Sequence, residues 1–197
     1  MKVKICGLTR LEDARAAASF GADALGFVHE RTSPRYIGDD IPEWLGELDP
    51  FVPKVAVFGR VDRVPAQTYF DLVQGVDWDI YPFPAPKRIV VVRLMPGQSA
   101  QDITQQMVNA SAILLDAFHA GAYGGTGKTV DWGLAAEVVQ RSARPVILAG
   151  GLTPENVQEA IKRVRPFAVD VSSGIESNPG VKNLEKMRTF IELAKSA

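Results

Sequence analysis

The chain has 197 residues, 46% of them hydrophobic, and a net charge of −1, enough for one domain, residues 1–197, with a sizeable core. Lysines and arginines are spread along it with no basic patch interleaved with aromatics, which argues against a nucleic-acid partner. A single cysteine excludes a disulfide framework and fits a reducing, cytoplasmic setting, and with two histidines it leaves little for a dedicated metal site.

Read in chain order, Met1-Lys2-Val3-Lys4-Ile5-Cys6 lacks the apolar stretch of a signal peptide and reads as a first strand, Val3–Cys6. Thr9-Arg10-Leu11-Glu12 is a capping box, and an alanine-rich helix is expected from Leu11 to Phe20. Ala24–Val28 and Lys54–Phe58 follow as strands, with Arg31 and Arg35 flanking Ser33-Pro34 between them. A fourth strand is expected at Trp78–Pro82, then Phe83-Pro84-Ala85-Pro86-Lys87-Arg88, where two prolines forbid a helix. Six extended residues reach about 20 Å, so this link can close a parallel crossover only when taut.

Ile89–Leu94 and Ala112–Asp116 are the fifth and sixth expected strands, the latter followed by a glycine-rich loop from Ala117 to Val130. Pro145–Ala149 leads into Gly150-Gly151 and then Thr153-Pro154, a cap and first-turn proline for a helix over Glu155–Arg163. Ala168–Ser172 is the eighth strand, and Asn183–Lys195 reads as an amphipathic C-terminal helix. Most strands are continuous Val/Ile/Leu runs, as strands buried on both faces should be. Their alternation with helices gives an α/β fold: a single (β/α)8 TIM barrel with the helix between strands four and five missing or much reduced. At 197 residues the chain is short for that fold, which typically takes about 250. No apolar run reaches the roughly 18 residues of a membrane span.

Such barrels place their chemistry at the C-terminal ends of the strands. Cys6 and Asp116 both fall there, a thiol and a carboxyl suited to proton transfer. A lone Cys is commonly a small buried hydrophobe and an Asp can simply cap a turn, so their shared position carries the functional reading. A thiol near its usual pKa of about 8.5 needs an electropositive site to act as a base at neutral pH. Gly124, Gly125 and Gly127 give the long loop the look of a lid. Gly124-Gly125-Thr126-Gly127-Lys128-Thr129 resembles a nucleotide P-loop, but Ala122 stands where that motif needs glycine, which excludes it. Gly150, Gly151, Ser172, Ser173 and Gly174 follow strands seven and eight, the pair that often forms a phosphate site. Surface arginines are usually just solvated, but Arg31 or Arg35, after strand two at the catalytic face, could hold a carboxylate bidentately. His29 and His119 reveal no partners in the sequence and read as structural or exposed.

Several of these segments together resemble a known family. They are Lys4-Ile5-Cys6-Gly7, Gly21 to Val28, Ser33-Pro34-Arg35-Tyr36-Ile37, Leu114-Leu115-Asp116, Gly124-Gly125-Thr126-Gly127, Asp131-Trp132, Leu148 to Leu152 with Pro154-Glu155-Asn156, and Asp170 to Glu176. In order and spacing they resemble phosphoribosylanthranilate isomerase, an enzyme of tryptophan biosynthesis. The resemblance implies an Amadori rearrangement of a small phosphosugar–anthranilate substrate without a cofactor, in the cytoplasm, by a monomer or homodimer. It implies Asp116 as general acid, Cys6 as general base, Arg35 as carboxylate ligand, and Gly150, Gly151, Ser172, Ser173 and Gly174 as phosphate cradle. One departure stands out: the family usually ends strand four in Gln-Leu-His-Gly, where the expected strand here has Asp79-Ile80-Tyr81-Pro82.

Two other readings remain open. A related phosphosugar barrel such as indole-glycerol-phosphate synthase relies on lysine and glutamate at strand ends, where strands one, three and five here offer Cys6, Phe58 and Leu94. A non-catalytic phosphate-binding barrel would have no need of both Cys6 and Asp116.

Overall fold

A computed structural model describes residues 1–60, 69–76, 87–95, 97–106, 110–117 and 130–197. Eight strands close into a barrel in sequence order: β1 Lys2–Ile5, β2 Ala24–Val28, β3 Lys54–Arg60, β4 Leu72–Val76, β5 Lys87–Leu94, β6 Ala112–Ala117, β7 Val146–Leu148 and β8 Ala168–Val171. Every neighbouring pair is parallel, and β8 returns to β1 with Lys4 opposite Asp170 and Ile5 opposite Val171. Closure removes the exposed edges that an open sheet would have to protect.

The expected (β/α)8 barrel is therefore present, with one strand displaced. The fourth strand is Leu72–Val76, paired with both β3 and β5. Gln74 and Gly75 interrupt its apolar run, which hid it behind the aromatic segment Trp78–Pro82; that segment lies outside the described residues. The connection from β4 to β5 is thus residues 77–86, and Lys87 and Arg88 belong to β5 rather than to a link. Among the described residues no helix lies between these two strands.

Around the barrel lie α1 Leu11–Ser19, α2 Ala100–Gln106, α3 Trp132–Arg141, α4 Val157–Val164 and α5 Leu184–Ser196. Between β2 and β3 there is only a short 3-10 helix, Glu43–Glu47. The helices earn their places by spacing. Val157, Ala160, Ile161 and Val164 of α4, and Met187, Phe190, Ile191 and Ala194 of α5, recur at i, i+3, i+4 and i+7 and are buried. Asn183 caps α5, its side chain accepting from the Lys186 N–H at 3.0 Å.

Two expected caps differ. Thr9 does not close a capping box: its hydroxyl donates to the Gly180 carbonyl at 2.6 Å, while Arg10 precedes α1 without a side-chain cap. The α4 helix begins at Val157 rather than Glu155, because Asn156 first accepts the Thr153 N–H at 2.9 Å in a separate turn. A β-ribbon, β9 Glu176–Asn178 with β10 Val181–Lys182, follows β8 and ties back to α1 through the Lys182 N–H and the buried Asp13 carboxylate, 3.0 Å apart.

Candidate active site

Cys6 directly follows β1, and its N–H donates to the Val171 carbonyl at 2.9 Å, which extends the β1–β8 ladder to the mouth. Asp116 sits near the end of β6, half-buried, opposite Arg93 of β5. Its Oδ1 accepts the Ala117 N–H at 2.8 Å. Both residues line one open hollow at the C-terminal mouth, with Arg35, Gly150, Gly151, Ser172, Ser173 and Gly174 on its wall. All the expected catalytic, carboxylate and phosphate residues therefore meet in one place. The lid glycines Gly124, Gly125 and Gly127, together with Tyr81 and His119, lie outside the described residues.

Glycine is required at several of these positions. A side chain on Gly150, whose φ is +81°, would stand 3.0 Å from Asp116 Oδ1 and 2.7 Å from the Ala117 nitrogen. One on Gly174 would run into the Leu152 carbonyl, so the turns after β7 and β8 touch directly. This contact makes one cradle of the two turns.

Arg35 lies over Gly7, whose absent side chain leaves room for the arginine stem and the Ser172 hydroxyl. Its guanidinium donates twice to Glu176, Nε to Oε1 at 2.8 Å and Nη2 to Oε2 at 2.6 Å. Lys182, its side chain fully buried, donates to the same Oε1 at 2.8 Å and to the Ser172 carbonyl at 3.1 Å. Burial would raise the Glu176 carboxyl, but Arg35 and Lys182 outweigh it and hold it below the usual range. Lys182 itself is held below the ordinary lysine range, since burial outweighs the one carboxylate it touches. The three groups carry one net positive charge beside the hollow. Arg31, by contrast, pairs with Asp39 at the exposed surface.

Beneath Cys6 the barrel holds a buried ion pair, Lys4 Nζ to Asp170 Oδ1 at 2.7 Å, with the two residues only 3% and 8% exposed. Burial alone would depress Lys4, yet Asp170 and Cys6 together raise it above its usual value. Cys6 is pushed up by burial, with Lys4 the largest force pulling it back. The expectation of a thiol brought down by its surroundings is thus reversed: enclosure wins over the cation. Gln74 of β4 also lines the hollow, and its buried Oε1 has no hydrogen-bond partner among the described residues. His29 stacks on Phe58 with ring centroids 5.2 Å apart, and burial lowers it to about 4. It is therefore neutral and structural at neutral pH. Among the described residues no cluster of His, Cys, Asp or Glu could hold a metal, and no helix is long and apolar enough to cross a membrane.

Lys4, Asp170, Glu176 and Lys182 received no role in the sequence reading, although the first three fall in its motifs. For the first two a signal existed. Lys4 stands two residues before Cys6, on the same face of a strand, and Asp170 interrupts Ala168-Val169-Asp170-Val171. A charge inside a strand buried on both faces needs a partner.

A closed parallel barrel with an acid, a thiol and a glycine-rich cradle at its C-terminal mouth defines an enzyme of the phosphosugar-barrel class. The comparisons resolve the family. The model of the N-(5'-phosphoribosyl)anthranilate isomerase family matches residues 3–193. The N-(5'-phosphoribosyl)anthranilate isomerase of Trichlorobacter lovleyi is 43% identical over 205 residues, covering 100% of this chain and 99% of that protein. The phosphoribosyl anthranilate isomerase of Thermotoga maritima superposes with a TM-score of 0.82 at 38% identity, each chain covered completely. A phosphoribosyl anthranilate isomerase in complex with reduced 1-(o-carboxyphenylamino)-1-deoxyribulose 5-phosphate gives 0.79 at 36% identity, again over 100% of both chains. The chain belongs to the N-(5'-phosphoribosyl)anthranilate isomerase family.

The family's Gln-Leu-His-Gly can now be placed against the strand. With β4 at Leu72–Val76, the strand end to set against that motif is Gln74-Gly75-Val76 rather than Asp79-Ile80-Tyr81-Pro82.

Proposed function

We propose that this chain catalyses the Amadori rearrangement of N-(5-phosphoribosyl)anthranilate to 1-(2-carboxyphenylamino)-1-deoxyribulose 5-phosphate, a step of tryptophan biosynthesis. Asp116 gives its proton to the furanose ring oxygen. The C1–O bond breaks as the anilino nitrogen lone pair forms a C=N bond, leaving an open-chain Schiff base. The thiolate of Cys6 then removes the proton from C2. The electrons of that C–H bond form C1=C2, and the former C=N pair returns to nitrogen. The resulting enolamine becomes the ketone as C1 gains a proton and the C2 hydroxyl loses one. Acid and base must hold their protons differently, and their environments differ: Asp116 is half-buried against a backbone N–H, whereas Cys6 is enclosed above a cation.

Gly150, Gly151, Ser172, Ser173 and Gly174 hold the phosphate, whose charge the backbone amides of two tight turns can meet. Arg35 holds the anthranilate carboxylate, and its fork geometry suits a bidentate partner. Glu176 pairs with that fork and fixes its direction. The loop carrying Gly124, Gly125 and Gly127 serves as a lid. No cofactor takes part. The enzyme works in the cytoplasm as a monomer or homodimer.

The observation that carries this reading is the meeting of Cys6 and Asp116, 110 positions apart in the chain, on the wall of one hollow beside the two-turn cradle. The test is direct: the purified protein is mixed with N-(5-phosphoribosyl)anthranilate and its anthranilate-linked fluorescence is followed. Enzyme-dependent decay is expected, and decay no faster than without protein would overturn the function.

A further inference from the structure

We propose that Lys4, locked in place by Asp170, is the cation that stabilises the thiolate of Cys6, making it a positioning residue for the proton-abstracting step. The inference rests on Cys6 being the base. Lys4 itself does not touch the substrate, because it lies below the thiol in the barrel interior.

The geometry carries it. Lys4 and Cys6 are two residues apart on one strand, so both project to the same side of the barrel wall. On the neighbouring strand a side chain at Gly26 would stand 2.9 Å from Cys6 Sγ and 3.0 Å from Lys4 Nζ. Thiol and ammonium therefore crowd one spot, and glycine on β2 is what lets them share it. Asp170, across the β1–β8 ladder, accepts from Lys4 Nζ at 2.7 Å and anchors its position.

A buried ion pair seldom adds stability over an apolar substitute, so its place under a reactive group points to a chemical role. The other charges around the thiol fit this account. Gly26 of β2 brings none. Asp170 on β8 opposes thiolate formation, and Lys182 on β10 favours it, less than Lys4 does. Arg35 and Glu176 neutralise one another beside Gly7, while Asp116 and Arg93 stand across the hollow. Among the described residues, Lys4 alone both sits against the sulfur and offsets the burial that disfavours its charge.

The test uses the fact that Cys6 is the only cysteine, so alkylation by iodoacetamide reports on that sulfur alone. Its rate is measured against pH for the wild-type protein, Lys4→Met, Asp170→Asn and the double variant. The double variant removes both charges and guards against a single variant that fails to fold with one charge unpaired. Lys4→Met should react about tenfold more slowly at pH 7, with its midpoint moved upward. Asp170→Asn should move the midpoint downward. The double variant should fall above wild type, since the nearer charge is lost. Opposite signs for the two single changes are what a purely structural pair would not give. A folded Lys4→Met protein, or double variant, that alkylates with the wild-type profile would overturn the proposal.

The reading of Cys6 as base is separable. If Lys4→Met shifts the thiol titration but wild-type turnover does not follow it, Lys4 stabilises the thiolate as proposed, but the base lies elsewhere and its positioning role in catalysis falls. If turnover follows the thiol titration and Lys4→Met leaves that titration unmoved, the proposal for Lys4 alone fails.

Discussion

The barrel interior is filled in two ways. Toward β3, β5, β6 and β7 it is apolar, with Val55, Ile89, Leu114 and Ile147 packed together. Toward β8 and β1 it holds Lys4 and Asp170 as a buried ion pair below Cys6. The first filling is what stability asks for, since apolar burial is favourable and makes no demand on geometry. The second is costly to desolvate and tolerates no missing partner. The difference separates the apolar packing that holds the fold together from the charged pair set beneath Cys6, and substitutions in the two should fail in different ways.

The largest effects belong to the chemical groups themselves. Cys6→Ala should lower turnover by about 10²–10⁴-fold while a product analogue still binds, as steady-state kinetics and calorimetry would show. Near-normal kcat would remove Cys6 from the mechanism. Asp116→Asn should be as damaging, because an amide cannot protonate a ring oxygen. An unchanged pH–rate profile in that variant would end the general-acid role.

On the apolar side, Ile89→Ala should cost about 2–5 kcal/mol of stability in denaturant melts. Turnover per folded molecule should change little there. A loss of kcat as large as that of Cys6→Ala would blur the division between the two fillings.

Arg35→Ala should act next, chiefly by raising KM, because the carboxylate is held in ground and transition states alike. A substrate analogue without the carboxylate should be indifferent to the change. Equal sensitivity of both substrates would give Arg35 only the structural role of pairing Glu176.

The smallest effect concerns His29, which belongs to neither filling. It titrates at about 4 in the folded protein because burial lowers it, against about 6.5 in an unfolded chain. Between those values the unfolded state binds the extra proton, so stability falls as the pH drops from 6.5 toward 4. His29→Phe keeps the ring against Phe58 and should remove that part of the acid-side slope. An identical slope in both proteins would show that His29 does not contribute.

Legibility in the sequence followed the range of the interactions. Seven barrel strands could be placed from apolar runs, because a strand buried on both faces advertises itself locally. The fourth could not: Gln74 and Gly75 break the run, and what fixes Leu72–Val76 is pairing with β3 and β5. Thr9 looked like a helix cap because its neighbours have the right spacing, yet its hydroxyl goes to Gly180 at the far end of the chain. Cys6, Asp116 and the two glycine turns were visible through their positions after strands. Glu176 was quoted in a motif but its partner Arg35 lies 141 positions away, and no local pattern joins them.

The central claim is that Cys6 takes the proton from C2 of the ribose. Substrate carrying deuterium at that carbon tests it in single-turnover experiments on the wild-type and Cys6→Ala proteins. The wild-type protein should react more slowly with the deuterated substrate and release label to solvent, while Cys6→Ala, with substrate bound, should leave the label at C2. Release of label by Cys6→Ala at the wild-type rate would contradict the account.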